Sequence, residues 1–311
     1  MYKRMLVVLD PSQNQQNALA RAIYLARLEQ AELTLFVSIY DFSYEMTTML
    51  SGEERENMRT ALIAERKAWA ESLLSEYDTR NLTIHVKVVW HHRPFEAIIK
   101  CALEDGHDFL IKGTRRHDKL QSVIFTPTDW HLLRKAPCPV LLVKDHQIPP
   151  NGQVIAAVNA GAEDTPHQSL NQRIIIASKH MSEKLTAELH VINCYPTAPL
   201  NMAIEIPEFD TSDYQANVRN YHQKSLGELA DIHHLDTTRL HVREGLPEDQ
   251  IPALAEEIDA SLVVLGTIGR TGFTAALLGN TAEHVIEKLN CDVLAIKPEG
   301  FRSPLAEAKP N

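Results

Sequence analysis

No two cysteines of this chain lie close enough in sequence to act as a motif. Cys101, Cys138, Cys194 and Cys291 are its four, and no CxxC occurs. That excludes a structural zinc site of the usual spacing, and the count is too low for a disulfide framework. The expected role of these residues is that of small buried apolar side chains. Long apolar runs are missing too. Met5–Leu9 follows Lys3 and Arg4 and stops at Asp10, too short for a signal-peptide core, and nothing later approaches a membrane span. The reading is a cytoplasmic protein without a membrane partner. Basic runs are also absent. Lys and Arg number 31 against 41 Asp and Glu, a formal net charge of −10, with a pI of about 5.8. That balance repels a phosphate backbone and argues against nucleic acid as a partner.

Several catalytic signatures are missing as well. There is no GK[ST] of a Walker loop, no HExxH and no GxSxG elbow. Fifteen histidines are present, among them His91, His92, His107, His117, His131, His233, His234 and His241. None stands at ligand spacing, and neighbours on a strand point to opposite faces, so they are expected in the core or on the surface rather than on a metal. The expectation is a binding protein without a dedicated catalytic residue, capable at most of slow ATP hydrolysis.

What the chain does have is a repeat. Its 311 residues, 44% hydrophobic and 23% charged, suit two globular units of about 150 residues each. Pro94 in HHRPFEAII answers Pro247 in EGLPEDQIP, an offset of 153. Gly113-Thr114 answers Gly266-Thr267, Cys138 answers Cys291, His131 answers His284 and Lys144 answers Lys297, all at the same offset. Nearer the start, Ala31-Glu32-Leu33 matches Ala187-Glu188-Leu189 at 156. The units read as 1–146 and 151–298, with a linker in DHQIPPNG (145–152) and a flexible tail from 299 to 311.

Each half alternates strands and helices. Met5–Asp10, Leu33–Tyr40, Thr83–Val89, Asp108–Lys112 and Val140–Val143 read as strands in the first. Val154–Asn159, Leu189–Cys194, Arg239–Arg243, Leu262–Leu265 and Val293–Ile296 do so in the second. Leu19, Ala22, Ile23 and Ala26 form a helical stripe, and Pro94 and Pro247 suit the first turn of a helix. The pattern predicts an α/β fold with a parallel sheet and helices on both faces.

The sharpest local signal is GTIGRTGFTAALLGNTAEH, from Gly266 to His284, with Gly269, Gly272 and Gly279 inside it. It follows a strand and opens a helix. Glycines permit close backbone approach to an oxyanion, and the free N–H groups of a helix N-terminus attract one. Asn280 or Thr281 is expected as the N-cap.

Taken together, G-x2-G-x9-G and the stretches IYDFSYEMTTML, VVWHHRPFEAII, FTPTDWHLLRK and LGNTAEHVI resemble the universal stress protein family in its tandem form, over nearly the whole chain. The resemblance implies two flavodoxin-like domains, each a five-stranded parallel sheet of order 3-2-1-4-5. It implies ATP, carried with Mg2+, at the crevice where strand order reverses. The family's phosphate and ribose contacts fall on Gly266, Gly269, Gly279, Asn280 and Thr281. Its adenine contact at the end of the second strand falls on Val191, and the acidic end of its first strand on Asn159. Asn159 keeps an acceptor and loses the charge; Asn280 stands where Ser or Thr is usual, beside the hydroxyl of Thr281. The resemblance also implies pairing of the two domains through their fifth strands, and leaves room for a homodimer.

The first repeat departs further. It keeps Asp10, but its loop reads GTRRHDKLQSVIFTPT, with Arg116, Thr126 and Pro127 at the positions of Gly269, Gly279 and Asn280. Pro127 has no N–H to offer phosphate, so one nucleotide per chain is expected. YDFSYEMTTML and its counterpart from Tyr195 to Phe209 are rich in Met, Pro and aromatics. They are expected to cap the core or the domain interface; the alternative is a carrier or modifying enzyme for an apolar metabolite or lipid.

Overall fold

A computed structural model describes residues 2–43, 51–116, 123–145, 151–197, 211–267 and 279–306. The chain divides into two compact units, residues 1–145 with 302–311, and residues 146–301.

In the first unit the order is β1 (Arg4–Val8), α1 (Asn17–Glu29), β2 (Glu32–Ile39), α2 (Gly52–Leu73), β3 (Ile84–Trp90), α3 (Pro94–Glu104) and β4 (Phe109–Gly113). Two short strands, β5 (Arg115–Arg116) and β6 (Val123–Ile124), precede α4 (Pro127–Lys135) and β7 (Val140–Val143). β1 pairs in parallel with β2 and β4, β2 with β3, and β4 with β7. The order is therefore β3-β2-β1-β4-β7, as expected. Only the antiparallel β5–β6 pair went unforeseen.

The second unit repeats the plan: β8 (Gln153–Val158), α5 (Thr165–Leu185), β9 (Glu188–Tyr195), α6 (Thr211–His233), β10 (Leu240–Glu244), α7 (Pro247–Glu257), β11 (Ala260–Gly266), α8 (Asn280–Lys288) and β12 (Asp292–Ile296). Its parallel pairs give the order β10-β9-β8-β11-β12.

Burial explains why these segments are strands. Met5 to Val8, Val140 to Val143 and Val293 to Ile296 are buried at every position, which requires cover on both faces. Leu19, Ala22, Ile23 and Ala26 of α1 are at most 3% exposed. α3 and α7 both open on their prolines, where a missing N–H costs nothing. The four cysteines are thiols, and Cys101, Cys138 and Cys291 are buried. Residues 299–303 of the tail make contacts of their own. Ser169 donates to Glu299 at 2.8 Å, Lys297 lies 4.9 Å over the Phe301 ring, and Ser303 is 2% exposed.

Candidate functional site

Strand order reverses beside β1 in the first unit and beside β8 in the second. In open α/β sheets that reversal leaves a crevice at the strand ends. Asn159, just past β8, is exposed. Its backbone is held on both sides by one buried carboxamide. Asn171 Oδ1 accepts the Asn159 N–H at 3.0 Å, and Asn171 Nδ2 donates to the Asn159 carbonyl at 2.7 Å. The first unit reaches the same result with a different residue. Gln16 accepts the Asp10 N–H at 3.2 Å and donates to its carbonyl at 2.8 Å.

The helices beyond the two crevices begin differently. α4 has Thr126 as N-cap and Pro127 in its first turn. Asp129 N donates to Thr126 Oγ1 at 3.3 Å, and Thr126 N donates to Asp129 Oδ2 at 2.6 Å. Lys112 meets the other oxygen of Asp129 at 2.6 Å, with both side chains at most 8% exposed. This helix start thus carries its own carboxylate and counter-ion. α8 has neither. Its N-cap is Gly279, in extended conformation and without a side-chain hydrogen bond. The sequence favours Asn280 or Thr281 as the cap, but Asn280 is already the first helical residue, which leaves capping to a residue with no side chain. Among the described residues no side chain caps its first N–H groups, and uncapped N–H groups are what an anion seeks.

Asp10 is also engaged. Arg115 Nε donates to it at 2.9 Å, and Ser12 donates from N at 3.0 Å and from Oγ at 2.6 Å. Burial pushes the carboxyl up, but the Ser12 bonds and Arg115 outweigh it and hold its pKa below the ordinary value. In the first unit, then, the acid and the helix start are both occupied by the protein's own groups.

The structure brings Asn159 and Gly266 to neighbouring strand ends, two residues or so beyond the Ala156–Val264 register pair. Gly266 has a packing reason of its own: a Cβ there would overlap Leu170 Cδ2 and lie 3.3 Å from Ile174 Cδ1. Val191 is not at the strand end. It is the fourth of eight residues in β9, level with Ala156 and 1% exposed. The end of that strand is Tyr195. Gly269 and Gly272 lie outside the described residues.

Sequence reading missed a polar cluster in the first unit. Cys101, Asp105 and His107 place ligand-type atoms within 4.8 Å of one another, which their sequence spacing did not announce. Lys87 donates to Asp105 at 2.7 Å, Cys101 Sγ donates to the same oxygen at 3.3 Å, and His107 Nε2 meets Thr34 Oγ1 at 2.9 Å. The group is satisfied by its own members and by a lysine that competes with any cation. Burial pushes the Cys101 thiol up to about 12. A cleft of about 420 Å³ lies between α6 and β10, lined by Arg219, Gln223, His241 and Arg243 among others; it is on the outermost strand, away from the reversal. Of the apolar segments, 44–50 and 198–210 lie outside the described residues. Phe42 is 60% exposed, so it does not cover the core as expected.

This duplicated fold is that of a known class. The universal stress protein family matches residues 1–144 and 175–297, and the chain belongs to that family. Universal stress protein E of Escherichia coli is 47% identical over 306 residues, 98% of this chain and 97% of that one. The Universal stress protein E homolog of Haemophilus influenzae is 42% identical over 302 residues, 96% and 98% of the two chains. Among solved structures, a functionally unknown protein from Pseudomonas aeruginosa superposes with a TM-score of 0.72 at 30% identity, covering 98% of this chain and 95% of its own. A universal stress protein from Archaeoglobus fulgidus shares the fold, with a TM-score of 0.61 at 17% identity, over 94% and 98% of the two chains. No helix among the described residues is long and apolar enough to cross a membrane.

Proposed function

We propose that the second unit binds a nucleotide, ATP with Mg2+, and that the first does not, making the chain a cytoplasmic, nucleotide-responsive binding module of the stress response. The observation that carries this reading is the contrast between the two helix starts. α4 is closed by Thr126, Asp129 and Lys112, whereas α8 opens on Gly279 without a side-chain cap. An uncapped helix start attracts phosphate through its N–H groups and its dipole. Asn159 supplies the ribose side with a carboxamide whose backbone is fixed by Asn171. Being neutral, Asn159 would offer a bound cation only a weak oxygen ligand. It is also no general base, which favours binding over turnover.

Isothermal titration of the intact chain with MgATP tests this. One site per chain is expected, and Gly279→Val should abolish it while the circular dichroism stays native. A stoichiometry of two, or unchanged affinity in the variant, overturns the reading. Turnover above roughly 1 s⁻¹, within the ordinary enzyme range, overturns its non-catalytic part.

A further inference from the structure

On the other side of β8 from α8, the second unit carries a polar and aromatic relay. Ala160, next to Asn159, donates its N–H to Asn193 Oδ1 at 2.8 Å. Asn193 is fully buried on β9, and this bond fixes which way its amide points. Its Nδ2 therefore faces His222 on α6, meeting Nδ1 at 3.0 Å. Since Nδ2 donates, Nδ1 accepts, and the imidazole proton sits on Nε2. Among the described residues nothing accepts from that Nε2.

The ring of His222 is equally fixed. It stacks on Tyr195, with centroids 5.5 Å apart and planes at 19°, and meets Tyr221 edge-on at 5.4 Å. Gly161 leaves room for it: a Cβ there would lie 2.7 Å from Nδ1 and 3.2 Å from Nε2. Tyr221 in turn donates to the Gly161 carbonyl at 3.3 Å and to Glu163 at 3.4 Å. The turn at the crevice thus carries an aromatic platform and one oriented N–H donor.

The fold does not need this arrangement. At an offset of 156, Asn193 and Tyr195 answer Val37 and Ile39 of the first unit. There β2 takes the same place beside β1, without a buried amide. The relay occurs in the unit whose helix start is open. Strand order also sets its position. β9 flanks β8 on one side and β11, which leads to α8, on the other. A ligand across the end of β8 would meet N–H groups at one end and an aromatic donor at the other.

We propose that His222 is the base-reading residue of the second unit, donating from Nε2 to a nucleobase acceptor beside Tyr195. This rests on the nucleotide reading above, and its test separates the two. A single neutral hydrogen bond to a desolvated base corresponds to about tenfold in affinity. Acid should weaken it. A proton on Nδ1 would face the Asn193 NH2 group, which cannot turn without abandoning Ala160. The other titratable groups at the ring are Tyr195, Tyr221 and, through Tyr221, Glu163. Burial already lowers the His222 pKa.

The intact chain is titrated with MgATP and with magnesium tripolyphosphate, which has no base, as wild type, His222→Phe and His222→Ala. Phe keeps the ring and removes the donor. ATP affinity should fall about tenfold in His222→Phe and further in His222→Ala, with tripolyphosphate unchanged in both. The wild-type preference for ATP over tripolyphosphate should shrink as pH falls through the lowered His222 pKa, on the acid side of 6.5, and stay flat in His222→Phe. If both ligands bind and neither variant alters the preference, His222 does not read the base and the phosphate reading stands. An equal loss for both ligands assigns His222 a purely structural role and also overturns the inference. If wild type binds neither ligand, the nucleotide reading falls and takes this one with it.

Discussion

At the same point of the same fold, α4 begins on Thr126 and Asp129 while α8 begins on Gly279. The first unit meets the needs of its helix from within; in the second no side chain among the described residues does so. Around each start the surroundings follow suit. Lys112 answers Leu265 and Asp129 answers Ala282 at the offset of 153, so a buried ion pair in one unit is a pair of apolar residues in the other. The difference teaches that a duplicated fold can build an internal ion pair into one copy and do without it in the other.

The largest expected effect comes from breaking the closed end. Asp129→Ala strands Lys112 in the core and should cost about 3–5 kcal/mol in urea unfolding. Lys112→Leu with Asp129→Ala, which writes the second unit's residues into the first, should recover most of that loss. If the double variant is as unstable as the single one, the two units are not interchangeable at this point.

Gly266→Ala should come next, at about 1–3 kcal/mol from overpacking against Leu170. The matching Gly113→Ala should stay within about 0.5 kcal/mol, since its nearest neighbour is Ala18 Cβ at 3.7 Å. Equal effects from the two would mean that α5 gives way as readily as α1.

Acid should separate the units less sharply. Burial lowers the pKa of His107 and His131 in the first, and of His190, His222, His233 and His241 in the second. The folded protein thus favours neutral imidazole. As pH falls past about 6.5, the unfolded chain takes up protons first, and stability is lost until the folded-state pKa values are passed. Hydrogen exchange of the intact chain at pH 5.5 against 7.5, corrected for intrinsic rates, should show more opening in peptides from 151–267 than in those from 2–145. The smallest effect belongs to Phe42→Ala, which should stay within about 0.5 kcal/mol because the side chain is 60% exposed.

The regular part of this architecture could be read from the sequence. Local periodicity places each main strand within two residues of where it lies, and the constant offset exposes the duplication. The loop after β11 announces itself through its glycines and its strand–helix context. What sequence does not carry is partnership over distance. Lys112 with Asp129, Asn193 with His222 and Gln16 with Asp10 are pairs that no period links, and each becomes visible only when strand and helix ends meet. Gly266 shows the same limit from the other side. Its glycine fits the phosphate motif and equally the pressure of Leu170, nearly a hundred residues earlier in the chain. Val191 was placed by likeness of motif, whereas β9 continues four residues beyond it.

The carboxamides of Gln16 and Asn171 have one more consequence. Each grips the strand-end residue through its backbone N–H and carbonyl and not through its side chain. The backbone of that residue is therefore held whichever side chain it carries, an anion at Asp10 and a neutral amide at Asn159. Charge at the crevice can change by mutation at one position while the geometry around it stays put.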